Sequence, residues 1–189
     1  MRKRHWWIVL GAGCGLLGVT TLTGGAIQAR EFSASVTDDG TIMVPSDYRT
    51  LFAHLGTWSV ADGGENGAVK QLHVVYAEAD AIKTYRESGE FPDGAVIVKE
   101  VLAAEARDMT TGHVSRAAQT VGWFVMVKDS QNRFPENPLW GRGWGWAYFE
   151  AGSPDATIST DYVKDCLGCH IPAQATDWIY VDGYPVLTP

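Results

Sequence analysis

The stretch Cys166-Leu167-Gly168-Cys169-His170 limits what this chain can become more than any other part of it. Two cysteines three positions apart, followed at once by a histidine, form the attachment pattern of c-type haem. On a helical turn, residues i and i+3 share a face, so both thiols can reach the two vinyl groups along one porphyrin edge. His170 lies on that same face, four residues beyond Cys166, where its imidazole can meet the iron. Iron then supplies the redox and ligand chemistry, and the protein tunes it through the axial ligand, the dielectric and the opposite face. Three other readings fit less of the stretch. A zinc site wants four ligands, and no second Cys-x-x-Cys or spaced Cys/His pair completes it. A thioredoxin-like pair belongs near the start of a βαβ unit, whereas this one sits near the C-terminus. A structural disulfide leaves the adjacent histidine without a reason.

The other end reads as a leader. Met1-Arg2-Lys3-Arg4 is basic, Trp6 to Leu22 is apolar and glycine-rich, and Gly24-Gly25-Ala26-Ile27-Gln28-Ala29 offers a cleavage site after Ala29. Together these predict a secretory signal peptide over residues 1–29. The alternative is an uncleaved anchor, for which the apolar stretch is barely long enough. Cys14 lies inside the leader, so the mature chain keeps Cys166 and Cys169. The apolar run before Cys14 is too short for a lipoprotein signal. Export predicts a periplasmic protein, on the side of the membrane where bacterial c-type haem is attached. Without Arg2, Lys3 and Arg4 the 15 basic residues fall to 12 against 22 acidic ones, a net charge of −10. Such a chain has no electrostatic reason to seek nucleic acid or an anionic membrane surface. A small neutral or cationic substrate suits it, and no stable membrane insertion is expected after cleavage.

With 46% hydrophobic residues in 189, the chain can build one globular domain with its own core. Residues 30–47, with Asp38-Asp39-Gly40 and Pro45-Ser46-Asp47, read as an exposed lead-in, and residues 48–189 as the haem domain. Leu51 to Ser59 reads as a helix passing into a strand, and Lys70 to Tyr76 alternates as a half-buried strand does. Glu78 to Ser88 is a short helix ended by Gly89. Phe91-Pro92-Asp93-Gly94 is a turn, Ala95 to Leu102 an apolar strand, Gly112 to Ala118 a polar excursion, and Val121 to Lys128 another strand. From Trp140 to Phe149, alternation puts Trp140, Trp144, Trp146 and Tyr148 on one face. Gly143, Gly145 and Ala147 take the other, where a flat ligand or another backbone can come close. Ser159 or Thr160 is expected to cap a helix running through Asp161 into the haem motif. The fold class is therefore α+β: a mainly antiparallel β-sheet of four or five strands with a few helices, the haem-bearing helix near the C-terminus. That order excludes the small all-helical cytochromes, and the chain lacks the long amphipathic helices of a four-helix bundle.

Lys99 is the second marked position. In the strand from Ala95 it shares a face with Ile97 and Val101, while Val96, Val98, Glu100 and Leu102 take the other. An ammonium there costs several kcal/mol unless it is paired, reaches water or loses its proton, and a neutral desolvated lysine is a nucleophile. An edge-strand lysine reaching water, or one paired with Glu100 of a neighbouring molecule or with Asp93, is the plainer alternative.

Several separate stretches together resemble the cytochrome P-460 family. They are Phe91 to Glu100, Gly122 to Asp129, the tryptophan–glycine run Trp140 to Trp146, Asp165 to His170, Thr176-Asp177-Trp178 and Tyr184-Pro185-Val186-Leu187. The resemblance implies a β-sheet domain with a few helices, a homodimer, and one five-coordinate haem c held by Cys166 and Cys169 with His170 as its sole protein ligand. It implies that Lys99 stands where members that oxidise hydroxylamine form a further covalent bond from lysine to porphyrin. A close branch, cytochrome c′-beta, shares the fold, lacks that bond and binds nitric oxide. For a proton-accepting base, the resemblance points to a carboxylate about five residues before the first haem cysteine, which is the shorter Asp161 here. By its position alone, Asp161 can equally serve the start of a helix, where the dipole favours an acidic side chain. Asp165, adjacent to Cys166, is a weaker candidate for that base and reads more readily as a solvated or helix-surface residue. The implied activity is oxidation of hydroxylamine, alone or with nitric oxide, with electrons passed to an acceptor cytochrome. A nitric-oxide binder without turnover and an electron-transfer cytochrome are the rivals. For the latter, His54, His73, His113, Met109 and Met126 are sixth-ligand candidates by type. Phe52, Phe91, Phe124 and the tryptophans can line a pocket or fill a core.

Overall fold

Val96-Ile97-Val98 and Val125-Met126-Val127 are apolar on both sides of a strand, so the sheet that contains them must be covered on both faces. The computed structural model describes residues 32–61, 63 and 68–188. The predicted leader lies outside them. Six antiparallel strands form one sheet in the order β1-β2-β3-β4-β6-β5. They are β1 (Ala53–Ala61), β2 (Val69–Ala77), β3 (Val96–Met109), β4 (Gly112–Lys128), β5 (Trp140–Gly141) and β6 (Trp144–Glu150). Helix α1 (Tyr48–Leu51) precedes the sheet, and α2 (Ala79–Ser88) bridges β2 and β3, ended by Gly89 at φ 78°. After β6 the chain passes through a π-helical turn (Val163–Leu167), α3 (Gly168–His170) and two 3₁₀ turns (Ile171–Thr176 and Val181–Gly183). Among the described residues, no helix is long and apolar enough to cross a membrane.

Each face of the sheet has its own core. Val96, Val98, Val125, Val127 and Phe149 pack with Ile42, Tyr48 and Trp140 on one side. Val75, Ile97, Met126, Trp144 and Trp146 pack with α2 and the C-terminal residues Trp178, Ile179 and Tyr184 on the other. The first of these corrects the expectation of an exposed lead-in. Ile42 is 1% exposed, and Ser33 and Ser35 are buried too. The turn at Asp38-Asp39, flanked by the Val36–Ile42 bridge, stays exposed, as do Met43, Ser46 and Asp47. The second apolar face of β3 and β4 needs a lid, and the lead-in is that lid.

Two further expectations change. Trp140 does not share a face with Trp144 and Trp146. A two-residue turn with positive φ at both Arg142 (59°) and Gly143 (79°) folds β5 back on β6 and pairs Trp140 with Gly145. Cross-strand partners share a face, so the Trp140 ring lies on the lead-in side. An added Cβ at Gly145 would meet that ring and Ile42 at 2.8 Å. The glycine therefore accommodates an indole, not a flat ligand. The polar residues Gly112 to Ala118 are not an excursion but the start of β4, paired with β3 out to Met109–Gly112. This ribbon is polar on both faces, so no alternation marked it, and its ladder hydrogen bonds and the Glu105–Arg116 pair hold it.

Candidate haem site

Strand register builds the floor of a cavity of about 310 Å³. Val75, Lys99 and Phe124 sit side by side across β2, β3 and β4. The next row on the same face holds Ile97, Met126 and Trp146. Opposite stand Cys166, Cys169 and His170 from the helical run, with Tyr180 and Tyr184 from the tail. Both cysteines are free thiols, Cys166 half-buried and Cys169 exposed. Burial pushes the Cys166 thiol up to about 11, away from the lowered values that mark reactive redox thiols. Among the described residues, no three His, Cys, Asp or Glu side chains gather to hold a metal ion by themselves.

His170 is set by its surroundings. Its Nδ1 lies 2.7 Å from the backbone oxygen of Trp178, and a carbonyl only accepts, so Nδ1 carries the proton and Nε2 is left free to ligate. The Trp146 ring meets the imidazole edge-on at 4.9 Å. Burial draws the imidazolium below its ordinary pKa, against the help of the carbonyl, and so favours the neutral ring that a metal needs.

Lys99 lies on an interior strand, between β2 and β4, not at an edge. Within the chain, Glu100 and Asp93 are both turned elsewhere. Glu100 points to the other face and bonds Arg49 and Thr120, and Asp93 is bound by Arg133. The Lys99 Nζ sits 4.1 Å from the centre of the Phe124 ring, a cation–π contact worth about 0.5–2 kcal/mol. Burial lowers its pKa. Two uncommitted thiols, a histidine with Nε2 free, a buried amine and a largely apolar lining fit a haem.

The profile of the cytochrome P-460 family matches residues 45–181. The chain belongs to the cytochrome P-460 family. It is thus a mono-haem c-type cytochrome by kinship, with haem iron as its cofactor. No curated protein sequence matches it significantly.

Within this cytochrome P-460 domain the remaining candidates scatter. Asp161 does not line the cavity. Its Oδ1 accepts from the Val163 N–H at 2.8 Å, and its Oδ2 lies 3.5 Å from Lys164 Nζ. The cap expected from Ser159 or Thr160 is thus supplied by Asp161, because the buried Ser159 hydroxyl is taken by the Tyr148 N–H. Asp165 does line the cavity. Its Oδ2 accepts from the Thr160 and Asp161 N–H groups at 2.7 and 3.2 Å, bonds that lower its pKa. Met126 lines the cavity too. Met109 is exposed on the ribbon, His113 bonds Asp108 there, His54 bonds Thr57, and the half-buried His73 bonds Gln71. Phe91 fills the core, Phe52 packs on the lead-in side, and Phe124 alone of the three lines the cavity. Two contributors escaped the sequence reading. Tyr180 donates its hydroxyl to the Cys169 carbonyl at 2.5 Å, and Trp178 acts through its backbone, which no side-chain pattern announces.

Proposed function

We propose that thioethers to Cys166 and Cys169 hold one haem per chain, and that the protein oxidises hydroxylamine, alone or with nitric oxide, in the periplasm. Electrons then pass to an acceptor cytochrome, and the working unit is a homodimer. One observation carries this reading. Lys99, an amine whose charged form burial disfavours, shares a single cavity with both cysteines and His170.

When bound, the haem supplies a coordination position for a small nitrogen ligand and an iron that accepts its electrons. The chain's residues do the rest. His170 offers Nε2 while the Trp178 carbonyl keeps the Nδ1 proton. Lys99, a desolvated amine whose charged form burial disfavours, would supply a third covalent attachment to the ring. Ile97, Phe124 and Met126 make the lining beside Lys99 apolar, and a low-dielectric lining strengthens polar contacts made against it. A carboxylate must take protons from the substrate. Asp165 lines the cavity, with the Thr160 and Asp161 N–H bonds making it the weaker base, while Asp161 lies outside the cavity and bonds the Val163 N–H.

The apolar lining also favours a second reading, a nitric-oxide binder without turnover, because a neutral diatomic needs no base. The absorption spectrum of the reduced protein separates the two. A Soret band far to the red of ordinary c-type haem, returning to the ordinary position in Lys99→Met, supports the hydroxylamine oxidase. An ordinary band in the parent protein, with no hydroxylamine-dependent electron transfer, supports the gas binder. A low-spin ferric resting state would mean a sixth ligand such as Met126 and would sink both readings.

A further inference from the structure

Just beyond the haem motif, two successive residues hold left-handed backbone angles although neither is glycine: Asp177 at φ 55° and Trp178 at φ 67°. Such angles are unfavourable for any residue with a Cβ, and for tryptophan a clear outlier, so the surroundings must impose them.

The Asp177 carboxylate is the point of imposition. Its Oδ1 accepts from Lys128 Nζ at 2.5 Å and from Trp144 Nε1 at 3.2 Å, and its Oδ2 accepts from the Phe91 N–H at 2.9 Å. The donors come from β4, from β6 and from the turn ahead of β3. The side chains of Lys128 and Asp177 are 10% and 8% exposed. Held in this way, the turn delivers one group. The Trp178 N–H returns to the Ala173 carbonyl at 2.9 Å, and the Trp178 carbonyl accepts from His170 Nδ1 at 2.7 Å.

We propose that Asp177, paired with Lys128, is a positioning residue for the haem ligand: it clamps the left-handed turn that aims the Trp178 carbonyl at His170. The inference rests on His170 ligating the iron. A carbonyl on Nδ1–H fixes the rotation and tautomer of the ring and makes Nε2 a stronger donor. A stronger donor favours ferric over ferrous iron, so the clamp lowers the reduction potential. A buried ion pair is a poor device for stability alone, since apolar packing of the same volume does as well. It is an effective device for fixing one geometry.

The test uses the haem-loaded protein. The iron–histidine stretching frequency of the ferrous state is read by resonance Raman and the midpoint potential by redox titration, with thermal unfolding alongside. Asp177→Ala should lower the stretching frequency and raise the potential. Asp177→Asn, which tolerates left-handed angles and keeps an acceptor oxygen, should restore most of both. Lys128→Met should fall between the parent and Asp177→Ala. Lowered thermal stability with an unchanged frequency and potential would reduce the carboxylate to a staple of the fold and overturn the proposal. If Asp177→Ala yields no haem-loaded protein, an unchanged frequency and potential in Lys128→Met overturns it equally. A parent protein without any iron–histidine band would instead remove the ligation by His170, a failure that the variants are not needed to detect.

Discussion

The two faces of the sheet are cut from the same strands, one residue out of phase, and the neighbours Glu100 and Lys99, one on each face, meet burial in opposite ways. On the lead-in side, Glu100 is 1% exposed, yet it is matched by the Arg49 guanidinium and the Thr120 hydroxyl. Burial pushes the carboxyl up, but those bonds outweigh it and leave its pKa below the usual value. On the cavity side, the neighbouring Lys99 has an aromatic ring where a carboxylate would be expected. Glu100 is resolved by its partners, as Lys128 is by Asp177 on the cavity side, while Lys99 is left with an aromatic ring beside two thiols and an imidazole. Reactivity collects where the protein leaves electrostatics unfinished.

The sharpest way to break this contrast is to remove a thiol. Cys166→Ser combined with Cys169→Ser should abolish haem that survives denaturation, read by haem staining on a denaturing gel, while circular dichroism still reports the sheet. Phe149→Ala attacks the lead-in face instead. It should cost about 3–5 kcal/mol in urea unfolding, with the haem content of the folded fraction unchanged. Glu100→Gln should cost about 1–3 kcal/mol and also change the pH profile. A carboxyl whose folded pKa lies below its unfolded value of about 4.3 stabilises fully above that pH. The stabilisation fades as pH falls through the depressed folded value. The variant's acid limb in pH-dependent unfolding should therefore be flatter than the parent's. Lys99→Met should act with the opposite sign, raising the stability of haem-free protein by about 1 kcal/mol, because it removes a desolvated ammonium. Glu105→Ala on the ribbon, whose salt bridge with Arg116 is open to water, should change stability by less than about 0.5 kcal/mol.

Much of this was legible in the chain because its signals are local. Cys166, Cys169 and His170 fall within five consecutive residues, and Lys99 stands out as a charge inside a valine-rich alternation. Trp140 was misplaced because alternation was carried through Arg142-Gly143, where positive φ at both positions reverses the phase. The ribbon was missed because residues polar on both faces show no period. Asp177 was visible only as part of a family-like motif. Its work is to hold a backbone angle, and composition does not encode which carbonyl a turn presents.

The opposed neighbours Lys99 and Glu100 also bear on assembly of the sheet. Were β3 to align one position off against β2 and β4, the carboxylate would enter the cavity and the ammonium would be pressed against Arg49, like charge to like. A shifted pairing is thereby disfavoured, so the buried lysine also helps to specify strand alignment.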